Sequence, residues 1–210
     1  MAFLNMYGWL LCTIAMIGDI VISLILSMFY KGYSSAKMSI SALGNPNSPV
    51  RLPFNLWMIL EGLLFLAAIP AIYNGYNSIS GGLTKVLVVF VAAFAVGACI
   101  FTGFFSVNET KDVVTTASKI HGAGSAIGFM LFLFVPLLLA ILSFKTSETG
   151  LGVISIICFV ISLAFFVMFV MSDKPEFKNT FVQNEGLWQR LNLLFMYLPL
   201  IIVSIKKILA

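Results

Sequence analysis

Six runs of apolar residues, each long enough to cross a bilayer, fill most of this 210-residue chain. A spanning helix needs about 20 mostly apolar residues, because the hydrocarbon layer is about 30 Å thick and a helix rises about 1.5 Å per residue. The runs occupy residues 8–30, 53–73, 83–105, 120–144, 151–171 and 187–205. None alternates apolar with polar residues, which argues for helices over a transmembrane barrel. The expected fold class is all-α: a polytopic membrane protein, a bundle of six transmembrane helices forming a single domain over residues 1–210. Composition agrees, with 60% hydrophobic and 10% charged residues, where soluble domains run near 45–50% and about 25%. A water-soluble enzyme or secreted domain could not cover such a chain with polar surface. The first run has no positive segment before it and is too long for a signal peptide's apolar region, so it reads as a retained helix.

An even number of spans puts both ends of the chain on one side, with short connections at 74–82 and 145–150. The opposite side carries three longer connections, 31–52, 106–119 and 172–186, and is termed the long-loop face. Eight cations fall on that face (Lys31, Lys37, Arg51, Lys111, Lys119, Lys174, Lys178, Arg190) and four on the other (Lys85, Lys145, Lys206, Lys207). The positive-inside rule places the long-loop face in the cytoplasm. The cations are scattered, with no basic stripe for nucleic acid. Trp9, Tyr30, Tyr73, Tyr76 and Trp188 fall near the ends of runs, where aromatic residues mark the membrane–water interface. Ala93 with Gly97, and Gly124 with Gly128, have the small-xxx-small spacing that lets helices approach closely in lipid. Cys12, Cys99 and Cys158 sit singly within apolar runs, so neither a disulfide framework nor a metal site is expected, and no cofactor is implied.

Function is sought where polarity is most costly. A charge at the bilayer centre costs at least about 2.5–3.5 kcal/mol on insertion scales. Asp19 lies midway between Trp9 and Tyr30, on a small and polar stripe with Cys12, Ala15 and Ser23 that should face the bundle interior. Glu61 lies near the middle of the second run, with Asn55 and Gly62 nearby. Arg190 starts the sixth run beside Gln189 and Asn192 and is the expected partner of Glu61. His121, the single histidine, opens the fourth run with Ser125 one turn later. A helix N-terminus there favours neutral imidazole. Asn55, Glu61, His121 and Arg190 are expected to converge beneath the long-loop face, with Asp19 deeper, as a polar pocket. The plainer alternative is a buried Glu61–Arg190 pair that fixes helix register, with His121 capping its helix.

The first long connection reads Ser39-Ile40-Ser41-Ala42-Leu43-Gly44, then Ser48, then Pro53-Phe54-Asn55 leading to Gly62. With Gly103-Phe104-Phe105, His121, and Gly186 followed by Gln189-Arg190, the chain resembles, over nearly its whole length, the domain of unknown function 998 family of bacterial and archaeal membrane proteins. That resemblance implies six helices, no established activity, and a prokaryotic inner or plasma membrane location. It points to Ser41, Gly44, Asn55, His121 and Arg190; Asp19 and Glu61 fall outside its pattern. By its own chemistry the 41–47 stretch is turn-rich, and either folds back over the pocket or simply connects two helices.

Three functions compete. The favoured one is binding or transport of a lipid headgroup or small solute, with membrane lipids as the expected partners, no nucleic acid, and candidate residues Asp19, Ser41, Asn55, Glu61, His121 and Arg190. The second is an intramembrane lipid hydrolase with Ser41 as nucleophile and His121 as base. One histidine cannot build a three-histidine zinc site, and no G-x-S-x-G motif is present, so the balance leans away from an enzyme. The third is a non-catalytic structural subunit. The residues do not set an oligomeric state.

Overall fold

The computed structural model describes residues 2–108 and 113–209. Lys111 and the middle of the 106–119 connection lie outside the described residues. Six helices are long and apolar enough to cross a membrane. They are α1 (Ala2–Ser27), α2 (Arg51–Tyr76), α3 (Gly81–Phe104), α4 (Thr116–Lys145), α5 (Thr149–Met171) and α6 (Glu185–Leu209). No strand occurs among the described residues. The protein is an all-α integral membrane bundle.

Local chemistry sets the departures from straight helices. Thr115 and Ser118 cap the start of α4 reciprocally: the Ser118 N–H donates to Thr115 Oγ1 at 3.2 Å and the Thr115 N–H to Ser118 Oγ at 2.9 Å. Further on, α4 breaks between Phe132 and Val135. Pro136 has no N–H to continue the ladder, and its ring crowds the preceding turn. In α3 the stretch Ala95–Ile100 is a π-helix, a local widening that turns the following residues to a new face.

α1 packs along α2, α2 and α4 pack on α3, and α6 packs on α1 and α5. At the α3–α4 crossing, a Cβ on Gly97 would collide with the Gly124 carbonyl, and one on Gly128 would stand 3.0 Å from the Ala98 nitrogen. The small-residue spacing therefore does what it predicts in lipid. The centre is aromatic: Phe94 lies 4.6 Å from Phe132, Phe65 5.7 Å from Phe94, and Tyr197 5.6 Å from Phe132, ring centre to ring centre. Leu56, Leu60 and Leu63 of α2 and Val153, Ile157 and Val160 of α5 are exposed, as lipid-facing residues are.

One expectation needs correction, and one open alternative is decided. Trp9 and Trp188 are not interface anchors: both are buried, Trp9 packing edge-on to Tyr76 and Trp188 stacking on Phe165. The large apolar rings gain more from tight packing between helices than from the interface, and the Trp188 indole N–H still finds the Val182 carbonyl at 2.9 Å. The first long connection is not a simple linker. It folds back into a short 3-10 turn, Ile40–Gly44, and buries Ile40, Leu43, Gly44 and Asn45.

Candidate functional site

The three long connections surround the mouth of a cavity of about 1000 Å³ that runs into the bundle. Its outer ring is polar: Ser39 and Ser41 from the first connection, His121 and Ser125 from α4, Gln189 from α6. Its walls are apolar, with Phe54 and Met58 from α2, Phe94 from α3, Phe129 from α4 and Phe166 from α5. Asp19 from α1 is the one carboxylate among the deep lining residues; with about 1.5 Å of rise per residue, it lies about 12 Å inside the end of its helix.

The shape follows from helix packing. The first half of α4 packs mainly on α3, whereas its second half, past the Pro136 break, packs on α5 and α6. Gly122, Ala126 and Met130 on the first half line the cavity and are exposed. The cavity is thus open on its flank, between α4 and α5, as well as at its mouth. Phe129 and Phe169 stack across that gap at 6.5 Å.

Arg190 is held by the chain, not by Glu61. Its Nη1 donates to the Ser35 carbonyl at 2.7 Å and the Gly186 carbonyl at 3.1 Å, and its Nη2 donates to the Tyr33 hydroxyl at 2.8 Å. The Tyr33 O–H donates in turn to the Ser39 carbonyl at 2.8 Å. Beside it, the Ile40 N–H donates to Gln189 Oε1 at 2.7 Å and the Leu187 N–H donates to the Ala36 carbonyl at 2.9 Å. A Cβ on Gly186 would collide with the Met38 carbonyl and stand 2.5 Å from that of Ser35. Arg190, Gln189 and Gly186 therefore form one clamp that presses the first connection onto the start of α6. Burial raises the Tyr33 phenol above its ordinary value, and the Arg190 guanidinium pulls it the other way.

Glu61 lies elsewhere. It is fully buried at 0% exposure; Cys99 Sγ donates to its Oε1 at 3.5 Å, and its Oε2 meets no donor. The π-helical widening of α3 carries Cys99 to this position, and Gly62 lets the Ala95 carbonyl approach, 2.6 Å from where a Cβ would stand. Asp19, 4% exposed, accepts from the Tyr197 hydroxyl at 2.8 Å through Oδ2. The expected Glu61–Arg190 pair does not form: the long side chain of Arg190 turns toward loop carbonyls one turn into α6, while Glu61 sits among neutral donors.

The remaining candidates divide. His121, 6% exposed, lines the cavity, and its Nδ1 has no partner. Ser41 lines the mouth, its hydroxyl 3.2 Å from that of Ser39. Asn55 does not line the cavity: its Nδ2 donates to Ser106 Oγ at 3.2 Å, and its Oδ1 would lie 2.6 Å from a Cβ on Gly44. Among the described residues, no three His, Cys, Asp or Glu side chains gather as a metal site would require. Tyr33, Tyr197 and Cys99 were not legible as site residues. The one available signal was that buried charges need partners, and tyrosine hydroxyls serve that need.

A family model described as Protein of unknown function (DUF998) matches residues 13–206. The chain belongs to the DUF998 family. A search of curated proteins and a search of solved structures each returned no match. In this DUF998 member, the segments that carry the family resemblance join into one collar. Gly186, Gln189 and Arg190 grip the 35–40 backbone, Gly44 packs against Phe54 and Asn55, and a Cβ on Gly103 would stand 2.7 Å from the Asn55 carbonyl.

Proposed function

We propose that this DUF998 member binds a membrane amphiphile, with the apolar part along the aromatic walls of the cavity and the polar part among its polar residues. The observation that carries the reading is the cavity itself. It has about 1000 Å³ of space inside an otherwise close-packed bundle, at the upper end of the roughly 300–1,000 Å³ typical of ligand pockets. Apolar walls with a few convergent polar groups suit a lipid or a lipid-like solute. The flank between α4 and α5 offers such a molecule a route from the bilayer that avoids water. Asp19, Ser41 and His121 are the polar contacts in this reading. Arg190, Asn55 and Gln189 are supports that hold the rim. The family resemblance and the loop charges favour a prokaryotic plasma membrane with the long-loop face in the cytoplasm.

Gly122 provides the test. It lines the cavity, and a Cβ there would meet nothing within 4 Å, so Gly122→Trp adds a large ring into open space. Protein purified in mild detergent is extracted, and its retained lipid is measured by mass spectrometry. The native chain is expected to retain a defined amphiphile near one per chain, and Gly122→Trp to lose it while staying folded. Equal retention by both chains would contradict the reading.

A further inference from the structure

We infer that the polar end of the bound amphiphile is a protonated primary amine seated at Asp19. This deepens the proposed function and rests on its cavity. Two carboxylates from adjacent helices, Asp19 and Glu61, are buried in the bilayer core, at 4% and 0% exposure. Their hydrogen-bond partners are neutral: the Tyr197 hydroxyl for Asp19 and the Cys99 thiol for Glu61. Glu61 Oε2 has no donor. Arg190, the cation whose field reaches Asp19, directs its hydrogen bonds into the first connection. A desolvated carboxylate calls for a counter-charge.

Asp19 lines the cavity, so a ligand can supply that counter-charge. An ammonium group carries three donors and a positive charge, and so satisfies a carboxylate better than a hydroxyl can. Phe94 lies beside the site, its ring 6.0 Å from that of Tyr197, and aromatic faces attract cations in a desolvated setting. Nearer the mouth, His121 makes the same demand independently. A neutral ring that carries its proton on Nε2 leaves the unpartnered Nδ1 as an acceptor. Asp19 and the unpartnered His121 Nδ1 therefore present acceptors to the interior of the cavity and favour a donating, positively charged head there, while Lys37 and Lys119 stand at its mouth. The alkyl chain then runs past Phe129 toward the gap between α4 and α5.

The test measures thermal unfolding of the full chain in phosphatidylcholine nanodiscs with dodecylamine, dodecanol or dodecyl phosphate. Dodecylamine is expected to raise the midpoint saturably, with at least tenfold tighter apparent binding than dodecanol, and dodecyl phosphate to have no effect. Asp19→Asn, which keeps an oxygen for the Tyr197 hydroxyl, is expected to erase the preference for the amine over the alcohol. Equal binding of amine and alcohol, or an amine preference that survives in Asp19→Asn, overturns the inference. If the three compounds bind alike and Gly122→Trp abolishes all binding, the amine assignment fails and the cavity reading stands. If nothing binds, or binding ignores Gly122→Trp, both fail.

Discussion

Two buried polar clusters lie near each other in this bundle and are built in opposite ways. Around Arg190, the charge is met by the chain: two carbonyls, a tyrosine hydroxyl and the tight approach of Gly186. Around Asp19 and Glu61, two buried carboxyl groups each meet one neutral donor, and one oxygen is left with none. The first cluster faces packed backbone, with both terminal nitrogens of Arg190 held and only its Nε left without a partner. The second opens on a cavity. The contrast teaches that a buried charge marks function according to what satisfies it: one satisfied by its own chain is architecture, and one left short beside empty space awaits a partner.

Substitutions can break that comparison. The largest effect is expected at Gly186→Ala. A methyl group would strike the backbone carbonyls of Met38 and Ser35, which cannot swing aside as a side chain would, so a loss of about 3 kcal/mol or more is expected. Arg190→Ala comes next. It removes the charged donors from the Ser35 and Gly186 carbonyls, at a cost of about 2–3 kcal/mol. Proteolysis within residues 31–50 would report the released connection. Tyr33→Phe deletes one acceptor for Arg190 and one donor to the Ser39 carbonyl, worth about 1–1.5 kcal/mol in a denaturation series.

The Tyr33 clamp also has a pH signature. Burial holds the phenol above its ordinary value. Its stabilisation is therefore fully present below about pH 10, the unfolded-state value, and is lost as pH rises through the folded-state value. Tyr33→Phe should lack that alkaline component. The smallest effect is expected at Gly122→Ala, which faces open cavity. There the better helix former should be neutral or stabilising by up to about 1 kcal/mol, in contrast to the same change at Gly186.

The fold was legible in the sequence because lipid leaves few options: each apolar run had to become a helix, and the small residues Gly97, Gly124 and Gly128 marked the α3–α4 crossing. The positions of Asp19 and Glu61 were legible for the same reason, since charge in an apolar run stands out. Their partners were not. Pairing Glu61 with Arg190 matched opposite charges by depth alone. Depth says nothing of which way a long guanidinium turns, and the backbone carbonyls of Ser35 and Gly186 took its hydrogen bonds. A pocket beneath the long-loop face was expected, but its apolar walls and open flank were not legible, because they depend on Pro136 breaking α4 and on the outer half of that helix leaning toward α3. Such geometry leaves no pattern in the α4 residues that line it.

The most direct measurement is the unfolding free energy of Asp19→Asn beside that of Arg190→Ala, in the same bilayer mimic without added ligand. Asp19→Asn removes a buried carboxyl that meets a neutral hydroxyl and no cationic donor, while keeping an acceptor for Tyr197, so its stability should equal or exceed that of the native chain. A loss as large as that of Arg190→Ala would show instead that the fold itself depends on the Asp19 charge, and the distinction between the two clusters would fall.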